Sequence, residues 1–405
     1  MSENEKLVPK RRFKEFKNAD AWEQRKLGEL GSVAMNKRIF KEQTAVTGEV
    51  PFFKIGTFGG DPDAFISREL FEEYKAKYPY PEVGDILISA SGSIGRTVEY
   101  SGEDEYFQDS NIVWLKHDER LDKSFLKQFY SIVKWQGLEG STIKRLYNKN
   151  ILDTRINVPS LAEQQKIGQF FNDLNHLITL HQRKLNKTKA MKSAYLSEMF
   201  PAAEERKPKR RFAGFTDAWE QRTIGEFGYF YYGKSAPKWS VTSDATTPCV
   251  RYGELYTKHK EKIDTIYSFT NIPKENLKFS TGKEVLVPRV GEDPLDFANC
   301  SWLSIPGVAI GEMISVYNTK QNPLFTAYMF NTLLKYEFAK RVEGGNVSNL
   351  YYTYLENIPV SYPSLEEQDK IASFFDNLST LIAFQQRKLE KLQNIKKAYL
   401  NEMFI

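Results

Sequence analysis

The chain of 405 residues, 41% hydrophobic and 27% charged, has the composition of an ordinary globular protein and is long enough for two or three domains. Its formal charge of +5 is too modest to announce a polyanionic partner by itself. Two cysteines, Cys249 and Cys300, with no CxxC or histidine pair near them, argue against a zinc site or a disulfide framework. No run approaches the ~18 apolar residues of a membrane span. The polar opening Met1–Leu7 lacks the apolar stretch of a signal peptide, so a cytoplasmic chain without membrane or metal association is expected.

In chain order, residues 1–19 form a basic segment carrying Pro9-Lys-Arg-Arg-Phe13, expected as solvated linker rather than a base reader. The stretch 20–158 opens on Asp20-Ala-Trp-Glu-Gln-Arg25 and then reads as short strands broken by Gly and Pro. Val83–Ser89 and Asn111–Leu115 are strand-like, Ser91–Arg96 a loop, and Phe125–Val133 a short helix. Residues 159–200 open with Pro159-Ser-Leu-Ala-Glu163, which predicts a capping box: serine and glutamate side chains each satisfy an orphan backbone N–H at a helix start. Only Gly168 interrupts the helical pattern that follows.

The whole arrangement then recurs. After a basic linker, 201–216, with Pro208-Lys-Arg-Arg-Phe212, comes Asp217-Ala-Trp-Glu-Gln-Arg222, 197 positions beyond its first copy. The stretch 217–362 contains the strand-like Lys283–Pro288 and a loop reading at Arg289–Glu292. Residues 363–405 open with Pro363-Ser-Leu-Glu-Glu367, 204 positions beyond the first copy. A period this long means tandem domains, since solenoid repeats run only about 20–50 residues. The middles have diverged far more than the frame, with faint matches such as Lys54 against Arg251 and Leu146 against Leu350.

The two long helices, each about 40 residues and so roughly 60 Å long, carry an a/d seam. In the first it runs through Ile167, Phe171, Leu174, Ile178, His181 and Leu185; in the second through Ile371, Phe375, Leu378, Ile382, Gln385 and Leu389. That spacing predicts an antiparallel coiled coil, with His181 and Gln385 as polar register-setting positions. Phe170 and Phe374 broaden the stripe, so another protein or the globular parts should cover that flank.

Basic and amide side chains gather where the strands turn. The nucleic-acid candidates in the first middle are Lys54, Ser91, Ser93, Arg96, Lys144, Arg145 and Lys149. In the second they are Lys234, Lys238, Arg251, Arg289, Asn346, Ser348 and Asn349. Arg and Lys neutralise phosphates or bond guanine edges, and Asn can pair with adenine.

With these blocks assembled, the chain resembles the specificity subunit of type I restriction–modification systems (HsdS). The resemblance rests on the Trp-Glu-Gln-Arg openings, the Pro-Ser-Leu-x-Glu-Gln helix starts, and the continuations Gln182-Arg-Lys-Leu185 with Glu198-Met-Phe200 and Gln386-Arg-Lys-Leu389 with Glu402-Met-Phe404. It implies an α+β fold: two mixed α/β target recognition domains in tandem, each followed by a long helix, the helices packing as an antiparallel coiled coil with pseudo-twofold symmetry. It also implies a non-catalytic subunit reading a bipartite site in double-stranded DNA, with two methyltransferase subunits docked on the helices and restriction subunits joining for cleavage. S-adenosylmethionine, and ATP with magnesium for restriction, would then belong to the partners.

Two motif matches argue for catalysis and fail on their own terms. Gly228-Tyr-Phe-Tyr-Tyr-Gly-Lys-Ser235 fits the P-loop pattern, but bulky rings fill the loop and the aligned Gly31–Arg38 lacks the second glycine. Pro62-Asp63 with Glu73-Tyr-Lys75 imitates a nuclease set, yet the second copy has no counterpart. A self-contained DNA-modifying enzyme and a coiled-coil scaffold without a DNA role remain the alternative readings.

Overall fold

The computed structural model describes residues 7–137, 144–202 and 205–405; the first six residues of the polar opening, and short pieces of the first middle and the linker, lie outside these. The chain divides into two compact units: Met1–Arg183 with Arg387–Ile405, and Lys184–Gln386. The division runs through both long helices, Leu161–Met199 and Leu365–Met403.

In unit 1 a four-stranded antiparallel sheet has the order Gly31–Ala34, Ile112–His117, Ile86–Ser89, Thr97–Glu99. Strand side chains alternate between faces, and here both faces are covered. Ile86, Ile88, Val113 and Leu115 pack toward helix Lys123–Ile132, with its Phe125, Leu126 and Phe129. Leu87, Ile112 and Trp114 pack on the other side with Phe53 and Phe107. Those two phenylalanines come from a second sheet, in which Val50–Phe53 lies between Phe65–Ile66 and Tyr106–Phe107.

Unit 2 repeats this plan. Its five-stranded sheet runs Gly228–Tyr232, Ile314–Thr319, Glu284–Pro288, Ser301–Leu303, Lys262–Ile263. Val285, Val287 and Tyr317 face helix Pro323–Leu333, while Leu286, Ile314 and Val316 face the opposite core. Asp122 and Asn322 cap the equivalent helices by accepting from the N–H of Phe125 (2.9 Å) and Phe325 (2.8 Å).

The repeated motifs meet in one place in each unit. Trp22 is buried against Phe125 and Phe404, and Trp219 against Phe325 and Phe200. One arginine of each basic run departs from the expected solvated linker, while Lys10, Arg11, Lys209 and Arg210 are exposed. Arg12 donates to both carboxylate oxygens of Glu163 at 2.8 and 2.6 Å, and Arg211 does the same to Glu367 at 2.8 and 2.6 Å. The Arg12 and Glu163 side chains are only 5% and 1% exposed. The expected capping box is therefore half formed: Ser160 and Ser364 accept from the N–H of Glu163 and Glu367 at 3.4 Å, but the glutamates hold arginines from distant sequence. Gln164 and Gln368 complete the motif, accepting from the N–H of Asp122 and Asn322 at 2.9 Å.

The flanks of the long helices are covered from within their own units. Phe170 lies against Phe13 and Tyr399 at 5.8 and 5.2 Å, and Phe374 against Phe212 and Tyr195 at 5.9 and 5.1 Å. In unit 1, Ile167, Phe171, Leu174 and Ile178 share a core with Leu392, Ile395, Leu400 and Met403. In unit 2, Ile371, Phe375 and Leu378 share one with Leu196, Met199 and Phe200. Leu185 and Leu389 are buried, and Ile382 is half-buried.

Gly168 marks a close approach that the second copy lacks. A Cβ there would stand 2.6 Å from the Ser124 Cβ and 3.1 Å from the Phe125 nitrogen. Helix propensity favours alanine over glycine by about 1 kcal/mol, while overpacking costs roughly 1–3 kcal/mol. Neither neighbour can swing aside, so Gly168→Ala should lower stability by about 1 kcal/mol, read as a shifted denaturation midpoint.

Candidate nucleic-acid interface

In unit 1, the loops that follow the strands converge at one end of the sheets. Gln108 donates its N–H to the Phe53 carbonyl at 2.9 Å, and Ala90 donates to the Asn111 carbonyl at 2.7 Å. Leu146 donates to the Ala90 carbonyl at 2.8 Å, and Ser91 bridges to Arg145. This brings Lys54, Ser91, Ser93, Arg96, Lys144 and Arg145 into one region. Their roles differ. Ser91 is buried with its hydroxyl on Asn111 Oδ1 at 2.7 Å, and the Ser93 carbonyl accepts from Ser89 Oγ at 2.5 Å; both close turns. Arg96 reaches the Gly59 carbonyl at 3.1 Å, and Lys54 pairs with Asp63 at 2.8 Å in an exposed bridge of small worth. Lys144 and Arg145 are exposed. Lys149 sits on helix Asn148–Asp153 and shares no hydrogen bond with this group among the described residues.

Unit 2 repeats the same hydrogen bonds with other side chains. Gly311 donates to Val250 at 2.9 Å, Arg289 to Met313 at 3.2 Å, and Leu350 to the Arg289 carbonyl at 2.9 Å. Arg251 thus stands where unit 1 has Lys54, and Arg289 where it has Ala90. Val290 pairs with Asn349, as Ser91 does with Arg145, so Asn349 stands where unit 1 has Arg145. The loop reading at Arg289–Glu292 is corrected here: Val290–Gly291 is a short strand paired to Ser348–Asn349. Lys234 lies in the same region, its N–H on the Ile310 carbonyl at 2.8 Å and its Nζ on the Glu275 carbonyl at 3.3 Å. Lys238 and Asn346 are exposed, and Ser348 is buried with its hydroxyl on the Gly345 carbonyl at 3.2 Å.

Sequence reasoning missed the aromatic residues around Arg289. Its guanidinium lies 4.5 Å from the Tyr232 ring centroid and 5.5 Å from that of Tyr351. Burial pushes the Tyr232 phenol up, against the pull of Arg289, so the ring stays neutral. The aromatic run Tyr229–Tyr232 was the available signal, and it is a strand, which also removes the P-loop match. Next to it, Ser235 and Ala236 hold left-handed backbone at φ 62° and 63°. Such strain in residues with a Cβ collects at functional loops.

Among the described residues, the two motifs that imitate catalytic sets assemble no reaction centre. Asp63 pairs with Lys54 and Glu73 with Lys77, so the imitated nuclease set does not converge. Burial raises the Cys249 thiol to about 11 and pushes Cys300 well up, leaving neither as a nucleophile. Among the described residues no group of three His, Cys, Asp or Glu could hold a metal, and no helix is long and apolar enough to cross a membrane.

Residues 19–190 and 216–394 each match the type I restriction modification DNA specificity domain. A type I restriction enzyme specificity subunit of Haemophilus influenzae is 59% identical over 157 residues, 38% of this chain and 41% of that relative's length. A second, named for MjaX of Methanocaldococcus jannaschii, is 22% identical over 94% of the chain and 92% of its own length. A solved type I system S subunit from M. genitalium shares the fold, with a TM-score of 0.63 at 15% identity, covering 98% of this chain and 99% of that one. The chain belongs to the type I restriction–modification DNA specificity family, the part of such a system that recognises DNA sequence and leaves catalysis to other subunits.

Proposed function

We propose that each unit reads one half of an asymmetric, bipartite site in double-stranded DNA. The observation that carries this is the shared hydrogen-bond frame presenting unlike side chains: Ala90 against Arg289, and Arg145 against Asn349. Lys54 and Arg251 keep positive charge at matched positions, which suits phosphate contacts common to both halves. Unlike readers on a common frame mean unlike half-sites, separated by roughly one turn of about 10 bp.

In this reading the recognition domains span 20–158 and 217–362, and the long helices pack as an antiparallel, pseudo-twofold coiled coil that sets the spacing. Support comes from the cores: the first half of one helix is buried with the last half of the other in unit 1, and the converse holds in unit 2. His181 and Gln385 would fix the register. Two equivalent helix surfaces would dock two methyltransferase subunits, which bind S-adenosylmethionine and flip an adenine out of the stack. Restriction subunits, with ATP and magnesium, would join for cleavage in the cytoplasm.

Native mass spectrometry of the assembled complex tests this. We expect two methyltransferase copies per chain, with methyl transfer to DNA only when they are present. A single copy at saturation, or transfer by the chain alone, contradicts it.

A further inference from the structure

We infer that Arg289, set against Tyr232 and Tyr351, is a guanine-reading site of unit 2; the inference rests on the reading that this unit contacts DNA bases. Three observations lead to it.

The first is that the guanidinium is oriented but unused. The guanidinium carbon lies 4.5 Å from the Tyr232 ring centroid and 5.5 Å from that of Tyr351. Its Nε is buried without a hydrogen-bond partner, and no carboxylate among the described residues pairs with it. The buried Nε is out of reach of an outside molecule; the donors open to such a molecule are those of the two Nη groups, which no carboxylate of the described residues engages. Contact with two rings restricts the side chain before binding, which limits the entropy lost on contact.

The second is position. Arg289 follows the strand Glu284–Pro288 at the end where the loops converge, next to the Val290–Asn349 pair. The strained residues Ser235 and Ala236 join this region through the Glu312 N–H on the Ser235 carbonyl at 3.0 Å.

The third separates base from backbone. A phosphate contact serves any sequence and belongs to what both units share, as the matched Lys54 and Arg251 do. Arg289 is not shared: the same place in unit 1 is Ala90. A large cation present in one reader only is what a difference in sequence needs. In the major groove, guanine offers two acceptors, O6 and N7, to a planar fork, whereas adenine places a donor beside its N7. The unit 2 half-site should therefore contain a fixed G·C pair.

The test uses the chain assembled with its methyltransferase subunits, acting on a DNA library in which every base of both half-sites varies, with methylated molecules sequenced. Arg289→Lys keeps the charge and the ring contacts but loses the fork. It should reduce the preference for one guanine by about 5- to 150-fold and leave the other half-site unchanged. Tyr351→Leu, which removes one ring and keeps the arginine, should weaken the same guanine by a smaller factor. An even loss across all sequences would mark a phosphate contact and overturn the inference, as would an unchanged preference or a loss at bases in both halves. Replacing 217–362 as a whole keeps the two failures apart. If that changes one half-site while Arg289→Lys changes nothing, the guanine site fails and the reading of unit 2 stands. If neither changes the target, the reading itself fails.

Discussion

Glu163→Ala should destabilise unit 1 by about 3–5 kcal/mol, because it leaves a buried arginine without its carboxylate. Arg12 donates two hydrogen bonds to Glu163 and further ones to the Ala19 and Asp20 carbonyls at 2.9 and 3.1 Å. It thereby ties the N-terminal segment, the approach to Trp22 and the start of the long helix to one another. Once Glu163 is gone, the guanidinium must stay buried unpaired or pull out and open that junction. Either route costs far more than an exposed ion pair, whose worth is about 0–1 kcal/mol. Replacing both partners by apolar residues, Arg12→Met with Glu163→Leu, should cost less than the single change, since no uncompensated charge remains. Hydrogen exchange of unit 1 amides reads the effect locally. Equal protection in Glu163→Ala and the unchanged chain would remove this junction from the account. Glu367→Ala should behave likewise in unit 2, with a slightly smaller loss because the Arg211 side chain is 13% exposed.

The same junction shows what the chain's residues disclosed in order and what they concealed. The tandem repeat, both long helices and the short helix after Asp122 were legible because they depend on local periodicity and capping, whereas the equivalent helix after Asn322 went unread. The Ser160 cap was legible for that reason, but the partner of Glu163 was not: Arg12 lies 151 positions away. A run such as Lys10-Arg-Arg12 looks like solvated charge until folding sets one residue of it against a buried carboxylate. Val290–Gly291 read as loop because its pairing with Ser348–Asn349 is contributed by distant sequence. Gly168 was visible as an interruption, while its cause, the approach of Ser124 and Phe125, was not.

The candidate interface was legible as a composition and not as a geometry. Arg289 was named for its charge, and the rings beside it come from Tyr232 and Tyr351, each more than 50 positions away. Ser91 and Ser348 had the right chemistry for DNA, yet both are buried and spend their hydroxyls within the protein. Matching the two units by hydrogen bonds rather than by residue type separates frame from reader. That match sets Ala90 opposite Arg289, one residue beyond the faint likeness of Gly84–Ser89 to Gly282–Pro288.

Replacing the stretch from Leu30 to Asn150 with that of a relative should have the largest functional effect, because it exchanges every candidate reader of unit 1 at once. It removes Lys54, Arg96, Lys144 and Arg145 while retaining Trp22, Glu163 and both long helices, which carry the frame. The spacing of the half-sites and the docking of partners should therefore persist. Each base pair misread costs about 1–3 kcal/mol, so a half-site of several bases would be abandoned entirely for a new one. Sequencing methylated bases in a genome exposed to the swapped complex is the most direct measurement. One half-site should be replaced, with the other half-site intact and the spacer unchanged; an unchanged target, or simultaneous change of both halves, would rule out separate reading by the two units.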